Sequence, residues 1–439
     1  MPLVNMLLEQ AITEPKQFSL FSHPGLAEEG DEYGAGPVTG LFHKDGVLSG
    51  ARVAVSAGSL YVGGTSVGAV SGALVPSIAG NEIGAAATAG GDAVFYDGTD
   101  FTAADFPDGA GVTKLIEQGG RFIGLREDTG TFYWTQPLAD ALVGGILTFD
   151  GLDFATAESE PDALVDAVPL QDRLVFGGTE TIEIWVKTGD DELPYTPIAG
   201  LVFSKGVRAT GCMADFDNTF AWVSPDNIVY RAANVPERIS DAGIEELIAA
   251  SATCRVDAYF FEGHELLKVH LDTVCIEYDA QTRQWGERKT GVGNFQGGPV
   301  ISGPVFGSTE DGNLLEPSDY ADLGSYHERS FCVFMPINGG AMPVHSLRLR
   351  CNPGHTEFLS GDYQDPTIEL FVSMDGGMTF EDPLPEQLGE AGEYRREVEW
   401  RALGAADYPG FFARARVTDP VSFRCSGTFI NEPHGGRSR

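Results

Sequence analysis

Histidines, cysteines and paired carboxylates are the groups with which this chain could hold a metal or move a proton, and their spacing decides whether they do. The densest candidate is His264-Glu265-Leu266-Leu267-Lys268-Val269-His270. A zinc-protease helix needs histidines at i and i+4 on one face, and position 268 is Lys. In a strand, His264 and His270 share a face but stand roughly 20 Å apart at ~3.3 Å per residue, too far for a common ion. The acidic pairs Asp215 and Asp217, Asp190 and Asp191, and Asp150 and Asp153 lack the Asp-x-Asp-x-Asp-Gly loop and distant Glu of a calcium site. Solvated turns account for them. Six cysteines, Cys212, Cys254, Cys275, Cys332, Cys351 and Cys425, form no C-x-x-C pair and are read as buried free thiols made in a reducing cytoplasm. No Gly-x-Ser-x-Gly elbow, Walker-type phosphate loop or dinucleotide fingerprint is present. The reading is therefore of a chain that is not an enzyme, with no catalytic residue, no cofactor and no metal.

One further motif, Ser373-Met374-Asp375-Gly376-Gly377-Met378-Thr379-Phe380, resembles the Asp-box turn of sialidases and other β-repeat proteins. That likeness implies a structural hairpin, in which the Asp and glycines form a tight turn over a packed aromatic. A sialidase would also need an arginine cluster and a tyrosine nucleophile, which no spacing here demands.

The groups that would position any chemistry belong to a large β protein. At 439 residues the chain can form two or three domains. Its 56 glycines, 27 phenylalanines and 13 tyrosines, with short valine- and isoleucine-rich runs between turns, describe an all-β class. Acidic residues number 64 against 28 basic, a net charge of −36, which argues against a phosphate-gripping surface. Dispersed acid with few lysines fits a saline habitat, and equally a wall past which DNA slides. The first residues lack the basic and apolar regions of a signal peptide, and no window approaches ~18 uninterrupted apolar residues, so the expectation is a soluble, unexported chain with no membrane contact.

From about residue 40 to 320 one theme repeats: a short alternating strand, a Gly, Asp or Asn turn, and a second strand carrying an aromatic. It occurs around Ser59-Leu60-Tyr61-Val62, Val94-Phe95-Tyr96, Phe122 to Trp134, Leu174 to Trp185, Phe220 to Tyr230, Leu266 to Tyr278 and, more weakly, Val305-Phe306-Gly307. A four-stranded blade needs ~40–50 residues, so this stretch predicts an irregular β-propeller of six or seven blades, with a pair of β-sandwiches as the competitor. A helix is expected at 240–248, where Ser240 or Asp241 caps acidic first-turn residues, as an insertion between blades. Longer strands at 331–334, 345–351, 367–373, 394–401, 411–417 and 421–430 predict a C-terminal β-sandwich. The expected organisation is an N-terminal extended segment at 1–40 with few strand signals, packed on the body or on a neighbouring subunit. A propeller at 41–324, a sandwich at 325–433 and a disordered tail at 434–439 follow it.

Four stretches resemble a known family. They are Leu3-Val4-Asn5-Met6-Leu7 followed by Pro24-Gly25-Leu26, then the hairpin from Ser59 to Gly68, then His264-Glu265-Leu266-Leu267-Lys268-Val269-His270-Leu271 with Tyr278-Asp279-Ala280, Trp285 and Lys289-Thr290-Gly291. The last runs from Trp400-Arg401 through Arg414-Ala415-Arg416-Val417 to Pro420-Val421. In this order they are similar to the packaged-DNA stabilisation, or tail hub, proteins of short-tailed bacteriophages, although this chain is shorter and more acidic. The resemblance implies a virion head-completion subunit in a homo-hexameric ring below the portal and its adaptor. It implies that the ring closes the channel, retains packaged DNA until ejection, passes DNA through its lumen without sequence-specific binding, and anchors tail needle and tailspike or fibre proteins. The alternatives are a carbohydrate-binding or glycosidase-like propeller and a generic scaffold propeller.

Overall fold

The computed structural model describes residues 3–11, 17–157, 162–318 and 320–431, so the tail expected at 434–439 lies outside the described residues. It divides into two units. One comprises residues 28–281 and 296–316; the other comprises 1–27, 282–295 and 317–439.

The first unit is a β-propeller of seven blades. Their innermost strands are Val38–Phe42, Gly72–Asn81, Val112–Gln118, Leu164–Leu170, Met213–Phe216, Cys254–Phe261 and Gly297–Ile301, and each is the spatial neighbour of the next, the last returning to the first. The seven aromatic hairpins legible in the sequence fall one to a blade. Five blades are consecutive four-stranded sheets, the sixth contributes Cys254–Phe261, His264–Leu271 and Cys275–Asp279, and the seventh comprises Gly297–Ile301, Val305–Ser308, Asn313–Pro317 and Leu26–Glu32. The helix Ala242–Ala250 stands between blades five and six, with Asp241 accepting from Ile244 N at its first turn.

Local turn chemistry sets the blade hairpins. Asp217 and Asn218 (φ 52° and 56°), and Glu262 and Gly263 (φ 45° and 87°), occupy the left-handed region at two-residue turns. Turns of this hand match the right-handed twist of the flanking strands. Between blades, inward aromatics stack: Phe132 of blade three lies 4.2 Å from Phe176 of blade four and 5.1 Å from Trp185.

Polar ties fasten the inner strands. Asp166, fully buried on blade four, takes Lys114 Nζ of blade three at 2.8 Å on one oxygen and the Gly211 N–H before blade five at 2.7 Å on the other. Lys268 of blade six, also fully buried, donates to the Gly297 carbonyl at 3.1 Å and to that of Gly298 in blade seven. Thr88 Oγ1 of blade two donates to the Val112 carbonyl at 2.8 Å. The ring closes where Leu26–Glu32 supplies the outer strand of blade seven. There Tyr33 N donates to the Gly312 carbonyl at 2.7 Å, and a Cβ on Gly312 would stand 1.8 Å from the Gly34 carbonyl oxygen.

In the other unit two sheets enclose a core. One pairs Met6–Ala11, Gln17–Ser22, Arg424–Ile430, Met342–Cys351 and Val398–Ala406; the other runs through Trp285–Thr290, Leu3–Val4, Arg329–Pro336, Gly410–Val417, Thr367–Ser373 and Leu384–Gln387. Leu347, Val398 and Trp400 from the first meet Ile368, Val372 and Phe411 from the second. The observed division differs from the expected one. The described residues within 3–40 form strands rather than a strand-poor extended segment, and two pieces preceding residue 325 join the C-terminal sheets. Their partners are remote in sequence: Ser22 N and Oγ both donate to the Phe423 carbonyl, a pairing that no local pattern signals.

Two substitutions test the closure and the ties. Gly312→Ala is expected to lower stability by about 1–3 kcal/mol, measured by chemical denaturation, because its methyl meets backbone. Asp166→Ala is expected to cost about 3 kcal/mol by leaving the half-buried Lys114 and the buried Gly211 N–H without their partner, and the double variant Lys114→Met with Asp166→Leu is expected to recover most of that.

Candidate functional site

The propeller axis is the first place to look for a site, because inner strands of all seven blades converge there. They leave a cavity of about 510 Å³ whose polar walls include Lys44, Lys114, Glu117, Asp215, Arg255 and Asp257. Most of these charges are spent on one another. Lys44 Nζ lies 2.6 Å from Glu117, Lys114 reaches Asp166, and Arg255 Nε lies 3.0 Å from Asp257 while its guanidinium also donates to the Thr39 carbonyl of blade one. Asp257 is further held by Lys268 at 3.5 Å. Although burial works against it, the cations Arg255 and Lys268 keep its carboxyl below the usual range.

The strand His264–Leu271 carries the motif examined as a metal helix. His264 Nδ1 lies 2.8 Å from Asp279 Oδ2, both buried. Glu265 accepts from the Asp217 N–H at 2.7 Å, and its carbonyl takes the Ala280 N–H. The run from His264 through Tyr278-Asp279-Ala280 is thus a set of cross-strand ties within blade six and to blade five. His270 sits near Lys268, Asp257, Arg255 and the Gly297 backbone, and burial pushes its imidazole down to about 4. No group of three or more metal-ligating side chains occurs among the described residues.

A second His and Asp pair lies in the two-sheet unit. His327 Nδ1 lies 2.5 Å from Asp322 Oδ2, and its Nε2 lies 2.8 Å from the His23 carbonyl. A carbonyl oxygen only accepts, so Nε2 carries a proton and is no base for a nucleophile. Asp322 Oδ1 accepts from Leu26 N at 2.9 Å, fixing the Pro24-Gly25-Leu26 turn. Asn5, at φ 48°, is the hub of this region: its side chain donates to the Lys289 and Glu328 carbonyls and accepts from Lys289 N and Arg288 at 2.8–3.1 Å. Arg329 is buried over the Tyr320 ring, donates to the Val421 and Asp419 carbonyls, and is lowered by desolvation to about 10.

The acidic pairs fall at turns. Asp150 Oδ1 accepts from Leu152 N, Asp153 from Gln136, Asp190 from Glu192 N, Asp191 meets Arg121, and Asp217 meets Arg231. Asp215 and Glu265 instead face an 800 Å³ pocket lined also by Phe203, Phe220, Tyr259 and Phe260, and burial raises both carboxyls. At the Asp-box sequence, Asp375 accepts from Ser373 Oγ, Thr379 Oγ1 and the N–H groups of Met378 and Thr379, which holds its carboxyl well below the usual range. The cysteines are free; Cys212, Cys254, Cys275 and Cys425 are buried, and Cys332 and Cys351 are half-buried.

Sequence reasoning did not name Asp166, and it named Lys268 and Asn5 only within motifs, without their role as buried ties. The signal for the first two was present: Asp166 interrupts Leu164-Val165-Asp166-Ala167-Val168, and Lys268 interrupts Leu266-Leu267-Lys268-Val269. A lone charge within an apolar strand must find a buried partner. Asn5 carries no such local sign.

Comparison with known proteins gives a family whose description names the same propeller fold. Residues 1–297 match the Phage_stabilise family, described as Bacteriophage P22 Gp10, beta-propeller. The chain is 26% identical over 409 residues to the tail hub protein gp10 of Salmonella phage P22, covering 84% of this chain and 83% of that one. Among solved structures it is similar to YCF48 from Cyanidioschyzon merolae, at 11% identity and TM-score 0.43, over 66% of this chain and 98% of that one. It is likewise similar to the Cps50 (Swd1) β-propeller domain of Myceliophteria thermophila, at 11% identity and TM-score 0.40, over 66% of this chain and all of that one.

The depressed His270 gives the propeller a pH dependence of definite sign. Between about pH 6.5 and 4 the unfolded chain binds a proton that the folded imidazole refuses, so stability is full above pH 6.5 and falls as pH drops toward 4. The loss from this group reaches up to about 3 kcal/mol. Denaturant titrations at stepped pH are expected to show it, and His270→Gln is expected to remove that part of the slope.

Proposed function

We propose, from the premise that this chain belongs to the Phage_stabilise family of the P22 Gp10 β-propeller, that it is a structural tail hub subunit of a phage particle. The observation that carries this reading is the likeness to the P22 tail hub protein over most of both chains. Its place is the virion tail, where it acts by holding other proteins. The finer reading is that copies form a hexameric ring below the portal and adaptor, close the channel on packaged DNA, and receive needle and spike or fibre proteins.

The physical features suit that work. A propeller closed by its own N-terminal strand, with its charges tied across blades, is a stiff body that offers loops at both faces for several contacts at once. Of the 64 acidic and 28 basic residues, 43 and 13 lie in the propeller unit, a net of −30, and 21 and 15 in the other, a net of −6. Such a surface repels phosphate, so DNA passes a ring of these subunits with little adhesion. No reaction is assigned to the His and Asp pairs, whose hydrogen bonds are made within the fold.

The sugar-binding alternative draws on the pocket bearing Asp215, Glu265, Tyr259 and Phe260, since acids beside aromatic rings suit a glycan. A glycan array and hydrolysis assay decide it; binding lost in Asp215→Asn and Glu265→Gln would favour that reading over the hub.

Genetic depletion of the chain during infection provides the main test. Particles made without it are expected to package DNA and then lose it, read as empty heads by microscopy and released DNA by nuclease sensitivity. Native mass spectrometry of the protein mixed with portal and adaptor complex is expected to give six copies per tail. Filled, infectious particles without the chain would reject the hub reading.

A further inference from the structure

In one place the fold sets two of the free thiols against each other. Cys351 ends the strand Met342–Cys351, Cys425 lies in the strand Arg424–Ile430, and the two residues are direct partners across this antiparallel pair. Both side chains turn inward. Leu347, Leu349 and Cys351 alternate toward the core on one strand, and Val421, Phe423 and Cys425 do so on the other and the chain leading into it. The Asn352 N–H donates to the Arg424 carbonyl at 3.1 Å. That bond joins the residue after Cys351 to the residue before Cys425, so the cysteines form a non-hydrogen-bonded pair, the kind whose Cα atoms stand only about 4.5 Å apart. A disulfide requires Cα atoms roughly 4.4–6.8 Å apart with side chains facing each other. Beyond the pair the ladder is bulged at Ser426, whose Oγ donates to the Arg350 carbonyl at 3.2 Å.

The surroundings decide which thiol reacts first. Cys425 is buried between two strands, since it also pairs with Leu20 of Gln17–Ser22, whereas Cys351 is half-buried and open to a small reagent. Burial pushes the Cys351 thiol up to about 12 and Cys425 up to about 11, so thiolate is scarce at neutral pH and the pair persists as thiols wherever reductant is plentiful. Cys212 and Cys254 also meet, with Cys212 Sγ 3.3 Å from the Cys254 carbonyl, but both are buried and out of a reagent's reach.

We propose that Cys351 and Cys425 are a dithiol site that closes to a disulfide in an oxidising medium, with a small-molecule disulfide as the oxidant, and so fastens the strand Arg424–Ile430 to its neighbour. In the first step Cys351 Sγ, its proton lost to solvent, attacks one sulfur of the reagent and expels the other as a thiolate, which takes up a proton. In the second, Cys425 Sγ loses its proton, attacks Cys351 Sγ in the mixed disulfide and expels the remaining reagent thiolate. Two protein thiols are oxidised and one small disulfide is reduced to two thiols. The hub reading supplies the occasion, the release of a particle from its host; the chemistry does not rest on it.

The test uses the purified full-length chain, reduced and then freed of reductant, with oxidised glutathione as the probe at about pH 8.5, where thiolate is more abundant. Peptide mapping after alkylation is expected to show Cys351 joined to Cys425, and dithiothreitol is expected to part them. The oxidised chain is expected to unfold about 5 °C higher than the reduced one, because a link across residues 352–424 restricts the unfolded chain. Cys425→Ser is expected to stop at the first step with glutathione left on Cys351, and Cys351→Ser to give neither the joined peptide nor the rise in unfolding temperature. Both cysteines still open to alkylation in the oxidised wild-type chain, glutathione retained on Cys351 in place of the link, or a link that leaves the unfolding temperature unchanged would each overturn the assignment.

Discussion

A propeller exists only if its ring closes, and here closure depends on one strand. Leu26–Glu32 leaves the first segment of the chain and completes the blade built from residues 297–317. Without it, blade seven has three strands instead of four, and the last blade loses the strand that ties it to the beginning of the chain. The close approach of Gly34 and Gly312 at this join leaves no room for a side chain. Around the axis, which carries charged groups, each inner strand lies beside the inner strand of the next blade.

Those charges follow from the same constraint. Inner strands of separate blades do not share a backbone ladder, so side chains must bind one blade to the next. Asp166 spans three blades through Lys114 and the Gly211 N–H, and Lys268 spans two through carbonyls of the seventh. Buried ions of this kind contribute little net stability over a hydrophobic replacement, but losing one partner is costly, so they favour a single arrangement of the blades. The His264 and Asp279 pair has a shorter reach, joining two strands within blade six. Its resemblance to a catalytic dyad is one of composition; its geometry is that of a cross-strand tie.

The two-sheet unit obeys a different rule. Its core comes from segments hundreds of residues apart, joined through Asn5 and through the Asp322 and His327 pair. The motif Leu3-Val4-Asn5-Met6-Leu7 therefore has a physical cause: only a short amide able to adopt a left-handed backbone and both donate and accept fits at position 5. A chain built this way couples its beginning to its end.

Much of this was legible along the chain. Period-two alternation with Gly, Asp and Asn turns marked one hairpin in each of seven blades, and the capped helix came within two residues of its place. Order of motifs revealed the family, since glycine-rich hairpins are common singly and rare in a shared sequence. These are local properties, fixed by backbone preference and side-chain alternation. What the tertiary structure alone decided is which distant pieces pair. Strands within 3–32 find partners near residues 287, 313–317, 330–331 and 424–425, and the buried Asp166 and Lys268 are satisfied largely by groups on other blades. Long-range pairing costs loop entropy and is repaid by burial and hydrogen bonds that exist only once the ring has closed, so no window of the sequence contains it.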